Sequence, residues 1–207
     1  MFDCERLDGK LMNNIVYRLD KSLYINLTNR CTNKCCFCIR DISDGVGGYN
    51  LWLDREPTVK EVIEAIGDPT AYDQVVFCGY GEPMTRLEEL LEISKYLKDR
   101  GAKVRVNTNG QANLIHGYNV VPRLAGLVDV ISVSLNACSA EEYHRICDSD
   151  FGLEAYKGVV DFIKECKKYI KRVVVSVVNV LPHESIKRCR QIADDLGVEF
   201  RIRYYYR

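Results

Sequence analysis

Six strand-like runs alternate with helix-like segments along most of the chain, and no other feature narrows its fold so far. The strand-like runs are Leu23–Thr28, Gln74–Cys78, Lys103–Asn107, Asp129–Leu135, Arg172–Asn179 and Val198–Tyr204. Between them lie amphipathic stretches near Thr58–Ile66, Arg86–Arg100, Tyr118–Ala125, Ala140–Cys147 with Glu154–Tyr169, and Glu184–Leu196. Gly101 and Gly197 follow two of these stretches, and Pro122 and Pro182 fall near element starts. Strict βα alternation gives parallel strands joined by right-handed crossovers, in an open sheet or a barrel. Six such units in 207 residues are too few for a complete eight-unit barrel. A chain of this length is expected to form one domain over residues 1–207.

Alternation within the strands separates two faces. Leu23, Ile25 and Leu27 oppose Tyr24, Asn26 and Thr28; Val104 and Val106 oppose Arg105 and Asn107. Ile131, Val133 and Leu135 oppose Ser132, Ser134 and Asn136, and Phe200 and Ile202 oppose Arg201 and Arg203. The apolar sets must face the helices, which turns the polar sets inward. Buried Asn, Ser and Arg side chains need partners, so the interior is expected to hold water, a cofactor or a substrate.

The chain carries ten cysteines, and its opening, MFDCERLDGK, has no apolar core of an export leader. A cytoplasmic location is therefore expected, where structural disulfides are rare and clustered thiols read as metal ligands. The longest apolar run, Val173–Leu181, is too short for a membrane span. Basic and acidic residues balance at 29 each, which argues against nucleic acid as a partner. Cys31, Cys35, Cys36 and Cys38 form a C-x3-C-x2-C loop directly after the first strand, with Cys36 expected to point away. No second cysteine pair or paired histidine completes a tetrahedral zinc site. Three thiolates on a four-iron cluster leave one iron open. Cys147, Cys166 and Cys189 fall on helix-like stretches and read as structural; Cys78 and Cys138 lie near strand ends.

The run YINLTNRCTNKCCFC resembles the cluster loop of the radical S-adenosylmethionine (SAM) superfamily, including Phe37 before the last cysteine. The resemblance implies a partial (β/α)6 TIM-like barrel, a [4Fe–4S] cluster on Cys31, Cys35 and Cys38, and SAM chelating the open iron. It also implies an external one-electron reductant such as a flavodoxin or ferredoxin. Reductive cleavage of SAM would give a 5′-deoxyadenosyl radical that abstracts hydrogen from a small-molecule or protein substrate. The phrase LTNRCTNKCCFCIRD most resembles a small subgroup associated with TatD-type nucleases. Deazapurine ring-contracting synthases place Asp-Thr where this chain has Ile39-Arg40-Asp41. Activases of glycyl-radical enzymes are similar in size.

Ligands of βα folds collect at the carboxyl ends of strands. The second strand ends Gly79-Tyr80-Gly81-Glu82-Pro83, similar to the family's Gly-Gly-Glu-Pro motif, so Glu82 is expected at the SAM amino group. Asn107-Thr108-Asn109-Gly110 matches a turn common in the superfamily and equally a plain Asn-Gly turn. By the same resemblance Ser134 and Asn136 are expected near the ribose and carboxylate, and Asn179 near adenine. Arg105, Arg201 and Arg203 are candidates for a substrate carboxylate or phosphate. The glycine-bearing segment Ile39–Glu56 reads as a mobile lid or a passive excursion. The end at Arg203-Tyr204-Tyr205-Tyr206-Arg207 suggests no auxiliary cluster domain. The alternative of another class is an iron–sulfur or zinc module that binds a partner and catalyses nothing; it predicts no SAM binding.

Overall fold

The computed structural model describes residues 14–42 and 45–204, so Cys4, the opening decapeptide and residues 205–207 lie outside the described residues. One seven-stranded sheet runs in the order β1 (Val16–Leu19), β2 (Ser22–Ile25), β3 (Gln74–Phe77), β4 (Val104–Thr108), β5 (Val130–Ser134), β6 (Arg172–Val178), β7 (Glu199–Arg203). The six expected strands are β2–β7, paired in parallel as the βα alternation requires. β1 is an addition: it pairs antiparallel to β2 across a two-residue turn, with Leu19 opposite Ser22. Asp20 takes a left-handed φ of 50° there, a geometry Asp tolerates and one that lacks the usual Asn-Gly signal.

Helices α1 (Ile39–Ile42), α2 (Val59–Ile66), α3 (Leu87–Asp99), α4 (Ala112–His116), α5 (Ala140–Cys147), α6 (Glu154–Tyr169) and α7 (His183–Leu196) fill the connections. In α2 a full capping box closes the first turn, the Thr58 side chain accepting from Glu61 N and Glu61 accepting from Thr58 N. In α3 the buried Leu87, Leu90, Leu91, Ser94 and Leu97 recur at helical spacing and set that helix on the sheet. The helix expected over Tyr118–Ala125 is a 3₁₀ turn at Val121–Leu124 instead. Gly117 ends α4 with φ of 73°, and Pro122, locked at the start of the turn, donates no backbone hydrogen bond.

Ile25, Phe77, Val106, Ile131, Val175 and their neighbours pack against the helices as the main core, which leaves the opposite face of the sheet for a cavity. Asn26 and Thr28 depart from their expected inward aim. Asn26 Nδ2 donates to Leu51 O (2.7 Å) and Thr28 Oγ1 to Glu56 Oε1 (2.6 Å). Both serve residues 50–56, which also meet Asn29 through Leu53 N and O. Leu51 and Leu53 are buried. This half of the segment read as a mobile lid or a passive excursion is a strap stitched to the carboxyl end of β2.

Candidate active site

The polar face of the sheet lines a cavity of about 460 Å³. Its walls include Cys31, Cys35, Phe37 and Cys38 from the loop after β2, and Gly79, Gly81 and Glu82 from the turn after β3. Asn107, Ser134, Asn136, Arg105, Arg201 and Arg203 complete the predicted set. Asn179 is the exception: it sits exposed in the turn beyond β6, and Val178 takes the place at the cavity wall. Ser176 and Val178 face inward on β6, and Asn179, one position on, has the opposite parity and falls in the turn beyond the strand.

The cysteine loop is held by groups far away in sequence. Lys34 N and Cys36 N donate to Cys147 O (2.9 Å) and Ile146 O (3.0 Å) at the end of α5. Thr32 Oγ1 donates to Gln111 Oε1 (2.7 Å), while Gln111 Nε2 donates to Asn33 Oδ1 (2.8 Å) and to the Tyr143 hydroxyl (2.9 Å). Gln111 is fully buried and so spends its amide on the loop and its supports, Ser149 Oγ adding a bond to Oε1 at 3.1 Å. Arg86, also buried, donates to Leu27 O (3.0 Å), Pro57 O (2.7 Å) and Glu89 (2.8 Å), tying strand, strap and helix together below the loop. No short motif marks Gln111, Tyr143 or Arg86.

Cys36 is exposed, as its position between the other thiols predicted, whereas Cys31, Cys35 and Cys38 are partly buried on the cavity wall. Arg40 Nε donates to Cys38 Sγ at 3.4 Å. Burial pushes the Cys31 thiol up to about 12, with the nearby Glu82 carboxylate adding to the shift. A hydrogen bond with Cys147, then burial, drives Cys35 well above the ordinary thiol range. Cys147 is buried, as expected of a structural thiol, and it also receives Asn136 Nδ2 at 3.7 Å.

Glu82 is 3% exposed. Its Oε1 accepts from Met84 N (3.0 Å) and Thr108 Oγ1 (2.8 Å), and its Oε2 from Asn109 N (2.6 Å). Thr108 and Asn109 of the Asn107–Gly110 turn thus hold this carboxylate. Burial outweighs those three donors and raises Glu82 to about 7. Gly81 is required where it stands, because a Cβ would strike the backbone of Thr28 and Arg30, and Glu82 N donates to Arg30 O at 2.8 Å. Gly79 is confined in the same way by Asn26. The two glycines thereby let the turn after β3 close against the end of β2 and the loop that follows it, and both also line the cavity. Asn136 adopts a left-handed φ of 56° and accepts from Arg203 at 3.0 Å; the same guanidinium donates to Ser134 Oγ at 3.2 Å.

These residues fit an iron–sulfur cluster and an amino-bearing cofactor. Among the described residues no three His, Cys, Asp or Glu side chains close on one point as a single metal ion requires. A cluster instead takes each thiolate on its own iron, and three thiols share one wall here. Glu82 is a buried carboxylate with no cationic side chain paired to it among the described residues, which leaves it suited to an amino group beside the cluster loop.

Fold and site together define a partial βα barrel of six parallel strands with a cysteine loop and a buried glutamate at the carboxyl ends of its strands. A family model for the radical SAM superfamily matches residues 25–196, and the chain belongs to that superfamily. Its members use a [4Fe–4S] cluster and SAM. The chain is 33% identical over 158 residues to a probable GTP 3′,8-cyclase of Thermococcus kodakarensis, covering 75% of this chain and 47% of that protein. It is 28% identical over 154 residues to an uncharacterized Methanocaldococcus jannaschii protein, covering 74% and 46%. A putative glycyl-radical enzyme activating enzyme of that organism is 26% identical over 170 residues, with 80% and 65% covered. The chain thus spans about half the length of the first two relatives. Among solved structures, Streptococcus suis SuiB bound to S-adenosylmethionine superposes with a TM-score of 0.66 at 16% identity, covering 90% of this chain and 41% of that one. TYW1 with a lysine-pyruvate adduct gives 0.64 at 16% identity, covering 90% and 65%. At such identity the likeness is one of fold.

Proposed function

We propose that this chain is a radical SAM enzyme in which Cys31, Cys35 and Cys38 hold the cluster, Glu82 receives the SAM amino group, and a substrate occupies the remaining cavity. The supporting observation is the convergence of the three thiols and the buried carboxylate on one cavity wall, from segments more than forty residues apart. When bound, the cluster and SAM supply a 5′-deoxyadenosyl radical through one-electron reduction.

The chain's own residues bind, orient and exclude water. Glu82 offers the amino group two oxygens already aligned by Met84, Thr108 and Asn109. Arg203, seated on Ser134 and Asn136, presents its guanidinium to the carboxylate of the same ligand. Phe37 walls the cluster side, and the Gln111 network keeps the loop in register. The electron comes from a small carrier such as a flavodoxin or ferredoxin. The protein works in the cytoplasm; among the described residues no helix is long and apolar enough to cross a membrane.

The test is anaerobic reconstitution with iron and sulfide, followed by reductant and SAM and an assay for 5′-deoxyadenosine. Formation that is lost in Cys35→Ala supports the proposal. Undiminished formation in Cys35→Ala contradicts the ligand assignment, and failure of a reduced, cluster-loaded sample to bind SAM contradicts the enzyme reading.

A further inference from the structure

The walls of the cavity carry three guanidinium groups, Arg105, Arg201 and Arg203, against a single carboxylate, Glu82. Arg203 is committed to Ser134 and Asn136. Arg105 spends only its Nε, on Asn107 Oδ1 at 2.9 Å. Arg201 and the Tyr24 hydroxyl have no hydrogen-bond or ion-pair partner among the described residues. Tyr24 and Arg105 stand at one level of the sheet, each in register with Val76. Arg201 projects from β7 into the same space. Burial and the facing Arg201 charge both hold Arg105 below the usual guanidinium range, so the two cations repel. Stacking on Tyr17, with ring centroids 5.1 Å apart, fixes the Tyr24 ring.

Arg105 stands three positions before Thr108, the partner of Glu82, on β4, which puts it roughly 10 Å toward the amino ends of the strands. The family's cofactors do not neutralise it, since a thiolate-bound cluster is anionic and SAM is cationic, and the two nearly cancel. Donors from β2, β4 and β7 approach from three directions. That arrangement matches the three terminal oxygens of a phosphate monoester better than a planar carboxylate, which one guanidinium fork satisfies.

We propose that Tyr24, Arg105 and Arg201 form a phosphate-recognising floor, and that the substrate is a phosphate ester whose reacting carbon lies above it, toward Glu82. As a substrate class this rests on the reading of the cavity as a radical SAM site; as an anion site it does not.

The experiment titrates inorganic phosphate, and separately malonate, into reconstituted protein with and without SAM, following heat. SAM binding is measured on the same sample. The expected result is phosphate binding that weakens about tenfold in Arg105→Gln and in Arg201→Gln. Tyr24→Phe should weaken it less, and Lys164→Gln, an exposed charge on α6, not at all. Arg201 lies on the exposed edge strand, so its variant keeps the test decisive if Arg105→Gln fails to fold. Phosphate that does not bind, or binds equally to the arginine variants, overturns the proposal, and tighter binding of malonate overturns the phosphate assignment. SAM binding without phosphate binding sinks the floor and leaves the enzyme reading intact. Phosphate binding without SAM binding does the reverse.

Discussion

Raising the pH from 5 to 8 should weaken the metal-free protein relative to its Glu82→Gln variant, because the fold holds Glu82 in a setting that disfavours its charge. The carboxyl titrates near 7 when folded, against an ordinary value of 4.5. A folded-state pKa above the unfolded one contributes stability that is fully present below 4.5 and is lost as pH rises through 7. At about 1.4 kcal/mol per unit, integrating between the two chosen pH values gives a loss of roughly 2–3 kcal/mol from this group alone. Carboxylates shifted downward by ion pairs, such as Glu56 and Glu89, work in the opposite sense, and they cancel in the comparison with the variant. The assay is anaerobic urea unfolding of both proteins across that range. A wild-type-minus-variant difference that stays flat with pH would refute the reasoning. Should Glu82→Gln not fold, the carboxyl carbon of Glu82 can be titrated by NMR; a midpoint near 4.5 rather than near 7 refutes it equally.

Three further outcomes follow from the packing around the loop. Gly81→Ala pushes a methyl into the backbone of Thr28 and Arg30 and should cost about 1–3 kcal/mol, seen as a lower Tm and less iron per chain after reconstitution; wild-type values of both would contradict the close approach. Cys36→Ser should retain full iron and sulfide, because its thiol is exposed, while Cys38→Ser should lose them; equal loss in both would show that the wrong thiols have been assigned. Arg86→Met fills the same space but leaves Leu27 O and Pro57 O without their donor, so destabilisation of about 2–4 kcal/mol by chemical unfolding is expected, and a neutral result would mean that water satisfies both carbonyls.

What could be read in the sequence, and what could not, divides by the range of the interactions. Cys31, Cys35, Cys38 and the Gly79–Pro83 turn are contiguous strings whose residue types state their chemistry, and strand alternation turned Arg105, Ser134 and Arg201 inward correctly. The same alternation misjudged Asn26 and Thr28, because a strap twenty-five residues onward covers that end of β2 and satisfies them. Gln111 escaped notice because its partners, Asn33 and Tyr143, lie 78 and 32 residues away and nothing local distinguishes it from any polar residue opening a helix. The contact between Cys35 and Cys147 was hidden for the same reason, with Cys147 reading as one more buried helix thiol. β1 is four residues closed by a turn without glycine, and so it offers no pattern longer than chance.

The central claim is that the three thiols and Glu82 build one cofactor site. It is tested most directly by the EPR spectrum of the reduced, reconstituted protein before and after SAM is added. The account predicts a cluster signal that depends on Cys31, Cys35 and Cys38 and changes when SAM binds. In Glu82→Gln the cluster signal should persist and no longer respond to SAM. A signal that survives loss of Cys35, or that SAM leaves unchanged in the wild-type protein, would contradict it.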